Sequence, residues 1–389
     1  MHMMTGYFPV EKLLKIDTPF YYYDLDLLRQ TLHTIQTHAP ENNFRVHYAM
    51  KACATPKVVQ QIANAQLGAD CVSGGEIKAA LQAGIPAEKI VFAGVAKADW
   101  EIKLALQKDI FCFNVESEEE LIVINMLAGE MKKRANVCLR INPEVDAHTH
   151  RHITTGLAEN KFGIQMADMD HSIDLCTQLK HVNFIGLHFH IGSQITDMQA
   201  FIQLCVRINQ LVKQTENRGI DIKHINVGGG LGINYEHPNH LCIANFEEYF
   251  NVFRQHLHLR PNQIVHFELG RSIVAPCGSL LTRVLYIKKG KEKKFAIVDA
   301  GMTDFIRPAL YNAFHRIENI SNNGPIDEKY DIVGPICESS DVFVKDFDMA
   351  VCQRGDMLAI RSAGAYGEIM ASQYNLRPLP GHVTSDELV

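Results

Sequence analysis

Short apolar, β-branched runs recur along the first two thirds of the chain, each followed by a longer stretch whose apolar side chains fall at helical spacing. The runs are FRVHYAMK (44–51), LGADCVS (67–73), IVFAG (90–94), IFCFNV (110–115), VCLRINP (137–143), FIGLHFHIG (184–192), IKHINVGGG (222–230) and IVHFELG (264–270). In the first, Val46, Tyr48 and Met50 alternate with Arg45, His47 and Ala49, which predicts a strand ending at Lys51. The intervening stretches include SGGEIKAALQAG, SEEELIVINMLAGEMKK and MQAFIQLCVRINQLVKQ. In the last of these, Phe201, Leu204, Cys205, Ile208, Leu211 and Val212 share one helical face, the mark of core packing. Pro56 suits a first helical turn, and Ser117 with Glu120 three residues later suits a capping box. Eight strands alternating with helices predict an α/β fold, a (β/α)8 barrel over residues 16–271. An open doubly wound sheet is the weaker reading, because no GxGxxG opens a first βα unit. Beyond residue 272 the pattern turns strand-like and poor in helix, as in SLLTRVLYIKKGKEKKFAIVDAG and GDMLAIRSAG. Residues 272–389, joined by residues 1–15, are therefore expected to form a mainly antiparallel β domain.

Composition narrows the partners. The net charge of −6 opposes a polyanion, so no nucleic-acid partner is expected, and KKGKEKK (288–294) reads as a hairpin turn. No apolar run approaches the roughly 18 to 20 residues that a membrane helix needs, and the N-terminus lacks a signal-peptide pattern. Ten cysteines scattered singly, with no CxxC pair, point to reduced thiols in a cytoplasmic protein and to no zinc site.

A barrel places chemistry at the C-terminal ends of its strands. Those ends carry Lys51, Asp70 with Ser73, Arg140, His190 with Ser193, the run Gly228-Gly229-Gly230, and Glu268 with Arg271. Taken alone, Lys51 reads as a solvated surface lysine and the triple glycine as a flexible turn. After the seventh strand of a barrel, however, glycines let backbone N–H groups approach a phosphate, with Ser193 and Gly270 as further donors. His188 and His190 share a strand face but lack an acidic or cysteine partner at ligand spacing, so no metal is expected. A buried core histidine is the plain reading of either; His190 also suits a ring stacked on a planar cofactor. Amine, phosphate site and carboxylate in one barrel mouth suggest pyridoxal 5'-phosphate, with Lys51 as its Schiff-base lysine.

Ten blocks then occur in order: YAMKA, DCVSGGEI, RINP, KFGI, GLHFHIGSQ, NVGGGLG, ELGR, DAGMTDFIRPALY, GPICESSD and AGAYG. From about residue 18 to about residue 378 the chain resembles the fold-type III pyridoxal 5'-phosphate-dependent decarboxylases, and most closely the diaminopimelate decarboxylases. The resemblance implies that Lys51 joins the cofactor and His190 stacks on its ring. It implies that Gly228, Gly229, Gly230, Ser193, Gly270 and Tyr366 hold the phosphate, with Leu269 and Arg271 in the same ELGR block. Glu268 would face the ring nitrogen; racemases of similar architecture place an arginine there, so a carboxylate speaks for decarboxylation. Arg271, Arg307 and Tyr311 resemble the clamp for a distal substrate carboxylate, a match that suits an arginine fork. The resemblance assigns the distal ammonium to Glu338 and the proton donor to Cys337, although an isolated cysteine in a β run is usually a small buried hydrophobe. It also implies a homodimer in which the CESSD block completes the neighbouring site.

Two departures stand out: Leu269 replaces the usual proline, and Glu368 puts a charge after AGAYG. The expected reaction is decarboxylation of meso-2,6-diaminopimelate to L-lysine and CO2, the last step of lysine biosynthesis. Decarboxylation of another basic amino acid or of a carboxylated polyamine (ornithine, arginine or carboxynorspermidine type) is the alternative. A non-catalytic cofactor-binding protein is a third reading, opposed by the filled catalytic positions.

Overall fold

The computed structural model describes residues 8–39, 43–145, 161–322 and 324–388. The chain divides into two compact units, Leu32–Gly232 with Asn245–Gly270, and the described parts of Met1–Thr31, Ile233–Ala244 and Arg271–Val389.

In the first unit, eight parallel strands close into a barrel: Phe44–Ala49, Gly68–Cys71, Ile90–Phe92, Cys112–Val115, Ala135–Arg140, Val182–His188, His224–Asn226 and Ile264–Leu269. Register does the positioning. The first strand pairs with the second through Ala49 and Asp70, and with the eighth through His47 and Glu268. The first strand ends short of Lys51, where the sequence alternation predicts its end. The strand stops at Ala49, and Met50–Ala52 forms a single 3-10 turn that carries the lysine out of the sheet.

Helices cover the barrel as their apolar faces demand. In Met198–Asn217 all six predicted face residues are buried, each large one worth about 1.5–3 kcal/mol. Pro56 opens Pro56–Asn64, and Ser73 caps Gly74–Gln82 by accepting from the Glu76 N–H. Ser117 caps Glu118–Glu130 in the same way at 3.2 Å. The capping box expected there is only half made, because Glu120 returns its carboxylate to the Glu116 N–H (2.8 Å).

Inside the barrel, polar residues alternate along the strands. Toward the N-terminal strand ends, the His224 ring donates to His266, which donates to His47 (2.9 and 2.8 Å), and His47 donates to the Lys89 carbonyl (3.0 Å). Gly68 makes room for this chain, since a Cβ there would lie 2.5 Å from the His47 ring.

In the second unit one sheet path runs Ile317–Asn319, Met357–Ile360, Gly278–Lys289, Lys294–Val298, Ile326–Val333, Val342–Ala350. All its pairs are antiparallel except Lys294–Val298 with Ile326–Val333. KKGKEKK is the expected hairpin, closing with Lys289 opposite Lys294. Phe20–Tyr23 pairs with Gly278–Lys289, and Leu13, Phe20 and Tyr22 pack with Leu281, Met357 and Ala359. Residues 16–31 and 233–244, placed with the barrel from sequence, thus group with the β unit. Of the expected leading segment, residues 1–7 lie outside the described residues.

Candidate active site

In the barrel unit the predicted residues gather at the C-terminal strand ends. Lys51 donates to Asp70 at 2.9 Å, and 40% of its side chain stays exposed while Asp70 is sealed. Burial and the nearby Glu268 charge push the Asp70 pKa up, and Lys51 opposes them. Asp70 Oδ1 has no hydrogen-bond partner among the described residues.

Glu268 is buried at the end of the eighth strand. Its Oε1 accepts from Asn114 and Asn226 (2.9 and 2.8 Å), and its Oε2 accepts from His188 (3.2 Å). Burial alone would raise its pKa, but His188, by charge and hydrogen bond, and then Lys51 outweigh it and hold the carboxyl well below the usual range. Asn226 also reaches the glycine run, because its side-chain oxygen accepts the Gly228 N–H at 2.9 Å and so ties that run to the carboxylate.

That run follows the seventh strand. Gly228 adopts φ +70 and Gly230 φ +109, both in the left-handed region, and a Cβ on Gly229 would fall 1.9 Å from the Glu268 carbonyl. The Ile195 N–H donates to the Gly230 carbonyl at 2.8 Å, so the Ser193 loop lies along it. His190 packs there as well, accepting the Gly229 N–H on Nδ1 at 3.3 Å. Burial, then Arg140 and Lys51, push the His190 pKa far down, which keeps its ring a neutral plane. Leu269 is buried, and Gly270 abuts Ala49 and Ala52, leaving 3.1 Å for a Cβ.

Arg140, by contrast, is committed to structure. It donates to Glu116 at 2.7 Å, lies over Phe162, and Glu116 accepts the Gly163 N–H at 2.9 Å.

In the β unit a second cluster forms. Arg271 donates to the Tyr235 hydroxyl (2.7 Å) and lies 4.9 Å from the Tyr366 ring centre. Arg307 lies 5.6 Å from the Tyr311 ring and 5.9 Å from that of Tyr366. Tyr366 holds φ +56, an αL backbone for a bulky residue, where two guanidinium groups flank its ring. Glu368 turns to Tyr23 (2.8 Å) and His382 (2.7 Å), which gives its charge local partners. Cys337 and Glu338 are exposed; the Cys337 N–H donates to Asn375 at 3.1 Å and Glu338 accepts from Tyr374 at 2.7 Å. Among the described residues no cluster could hold a metal.

A family model for the pyridoxal-dependent decarboxylases, pyridoxal binding domain, matches residues 25–275. A diaminopimelate decarboxylase from Bacteroides thetaiotaomicron is 61% identical over 387 residues, 99% of this chain and 100% of that protein. The chain belongs to the diaminopimelate decarboxylase family. A relative of that name from Helicobacter pylori J99 is 42% identical over 93% of this chain and 88% of its own length. The crystal structure of the Helicobacter pylori enzyme complexed with L-lysine superposes with a TM-score of 0.90 at 39% identity, covering 97% of this chain and 94% of that one.

The family's cofactor is pyridoxal phosphate, and the barrel unit fits it on its own geometry. A buried carboxylate held ionised by three donors suits a protonated ring nitrogen, and a lysine amine stands at an exposed edge. The left-handed backbone at Gly228 and Gly230 gives the run the turned geometry that suits an anion. Sequence reasoning missed Asn114, Asn226 and the role of His188. The signal was there: Cys112/Asn114, His224/Asn226 and His266/Glu268 put polar groups two apart, on one strand face at its C-terminal end. It also missed Tyr235, which enters from residues 233–244 far from the arginine blocks in sequence.

Proposed function

We propose that this chain decarboxylates meso-2,6-diaminopimelate to L-lysine and CO2 with pyridoxal 5'-phosphate, as the last step of lysine biosynthesis. The observation that carries it is Glu268, a buried carboxylate kept ionised by Asn114, Asn226 and His188 beside the strand that leads to Lys51. Bound there, the cofactor ring supplies an electron sink for the pair left when CO2 departs. Glu268 keeps the proton on the ring nitrogen, because an anion opposes its loss. His190 offers a neutral face to the ring. Gly228 and Gly229 shape a turn that lets the phosphate come close, Gly230 and Gly270 supply backbone N–H groups for it, and Ser193 and Tyr366 supply hydroxyls. Lys51 holds the cofactor and, once displaced by substrate, shuttles protons, with Asp70 as its counter-charge. Cys337 gives its thiol proton to the carbon that has lost CO2.

Arg271, Arg307 and Tyr311 hold the distal carboxylate, and Glu338 takes the distal ammonium. Decarboxylases of ornithine or of polyamine-type substrates have no distal carboxylate to place against two buried guanidinium groups, which favours diaminopimelate over that alternative. CO2 release from meso-diaminopimelate beside L-ornithine and L-arginine tests the choice. Release from either of the latter alone overturns it. Borohydride reduction of the holoenzyme should fix the pyridoxyl group to the peptide containing Lys51.

We further infer a homodimer whose sites are completed by Cys337 and Glu338 of the other copy, supported by the exposure of that loop. Lys51→Ala and Cys337→Ala protomers, each inactive, should regain part of the activity when mixed and refolded together; no recovery removes the shared site. A cytoplasmic location is supported by ten cysteines scattered singly with no CxxC pair, and no helix of the described residues is long and apolar enough to cross a membrane.

A further inference from the structure

We infer that His315 is a positioning residue for substrate recognition: locked in one tautomer, it orients the Arg307 guanidinium so that its Nη edge faces the distal carboxylate. The inference rests on the reading of Arg307 as a holder of that carboxylate.

His315 is buried, 2% exposed, and both ring nitrogens are committed. Nδ1 lies 2.9 Å from the Arg361 carbonyl oxygen. A carbonyl only accepts, so Nδ1 carries the hydrogen. Nε2 lies 3.3 Å from Arg307 Nε, which only donates, so Nε2 carries the lone pair. The two contacts demand the same neutral tautomer. A second proton would set N–H against N–H beside a guanidinium, and burial with the Arg307 and Arg271 charges pushes the pKa down to about 3.

The ring cannot swing. Phe305 and Tyr235 each meet it edge-on with centroids 4.6 Å away. Tyr235 also accepts from Arg271, so one aromatic wall sets both guanidinium groups. With Nε engaged, Arg307 keeps both terminal nitrogens for a fork onto a carboxylate. Burial depresses its pKa, Tyr235 opposes that, and Arg271 adds like-charge repulsion. Two buried cations side by side are stabilised when an anion arrives, provided their forks point at it.

L-lysine carries, as its one carboxylate, the group that is distal in meso-diaminopimelate, and 1,5-diaminopentane lacks it. This pair separates positioning from general damage. In His315→Phe, which keeps the ring, and His315→Asn, which keeps the bond to Arg361, the acceptor for Arg307 is gone. Both variants should raise KM for meso-diaminopimelate roughly tenfold or more, the scale of a lost hydrogen bond to a charged group. Their kcat should stay within about threefold, as for lost uniform binding. Calorimetry on the holoenzyme should show L-lysine weakened by a similar factor and 1,5-diaminopentane unchanged. His315→Gln, which returns an oxygen near the Nε2 position, should recover most of the loss. Equal weakening of both ligands, no weakening of L-lysine, or failure of glutamine to rescue overturns the inference. Arg307→Met serves as the reference. If it leaves L-lysine binding intact, the clamp reading itself fails. If it weakens L-lysine while the His315 variants do not, the inference alone fails. Adding His315→Phe to Arg307→Met should bring no further loss, and a full additional loss counts against positioning.

Discussion

Glu268 shows how a single ionised group is maintained in a barrel interior. A buried carboxylate without donors would take up a proton; two amides and an imidazole make ionisation the lower-energy state. Glu268→Gln keeps the shape and removes the charge. It is expected to cut turnover at least about 100-fold while cofactor titration still reaches full occupancy, since the phosphate contacts remain. The substituted amide must also turn a donor toward Asn114 and Asn226 or toward His188, so the unfolding midpoint of the variant should drop as well.

Among the barrel elements, two connections carry most of the local consequence. The buried Lys97 donates to the Gly94 and Asn114 carbonyls (2.8 and 2.9 Å) and to Glu120 (2.5 Å), joining the ends of the third and fourth strands to the helix Glu118–Glu130. Removing one partner strands the other's charge. Lys97→Met should therefore lower stability by about 3–5 kcal/mol in urea unfolding, and adding Glu120→Gln should restore part of it. The second connection is the glycine run. Gly229→Ala places a methyl 1.9 Å from the Glu268 carbonyl, so the seventh and eighth strands must shift. A loss of about 1–3 kcal/mol is expected, together with weaker cofactor binding. Gly381→Ala, with nothing within 4 Å of its Cβ, is the neutral control.

Across the molecule as a whole, the chain of His47, His266 and His224 makes stability depend on pH. Burial lowers the pKa of His47 and His224 to about 4 each and also pushes that of His266 well down. The unfolded chain binds protons at these rings near pH 6.5, before the folded one does, so stability rises with pH across this interval. The contribution is full above about 6.5 and is lost as pH falls through about 4. For the fully buried His47 alone this amounts to roughly 3 kcal/mol. Urea midpoints of the holoenzyme between pH 4 and 8 should climb and then level off near pH 6.5 to 7. A flat profile below pH 6.5 would show that the rings are not buried neutral.

The barrel, the β domain, the lysine, the glycine run and the arginine residues of the β unit are all legible in the amino-acid order. Strand alternation, helical faces and caps are local, and the block order is a property of the chain. Folding in three dimensions supplied the rest. Asn114, Asn226 and His188 meet Glu268 from strands 154, 42 and 80 residues away, a meeting fixed by barrel register and by no neighbouring residue. The strand end two residues before Lys51, the grouping of 16–31 and 233–244 with the β unit, and the tautomer of His315 have the same origin. Each depends on which backbone or side chain lies opposite across a long loop of sequence, and hydrogen-bond partners that distant leave no periodic trace in the chain.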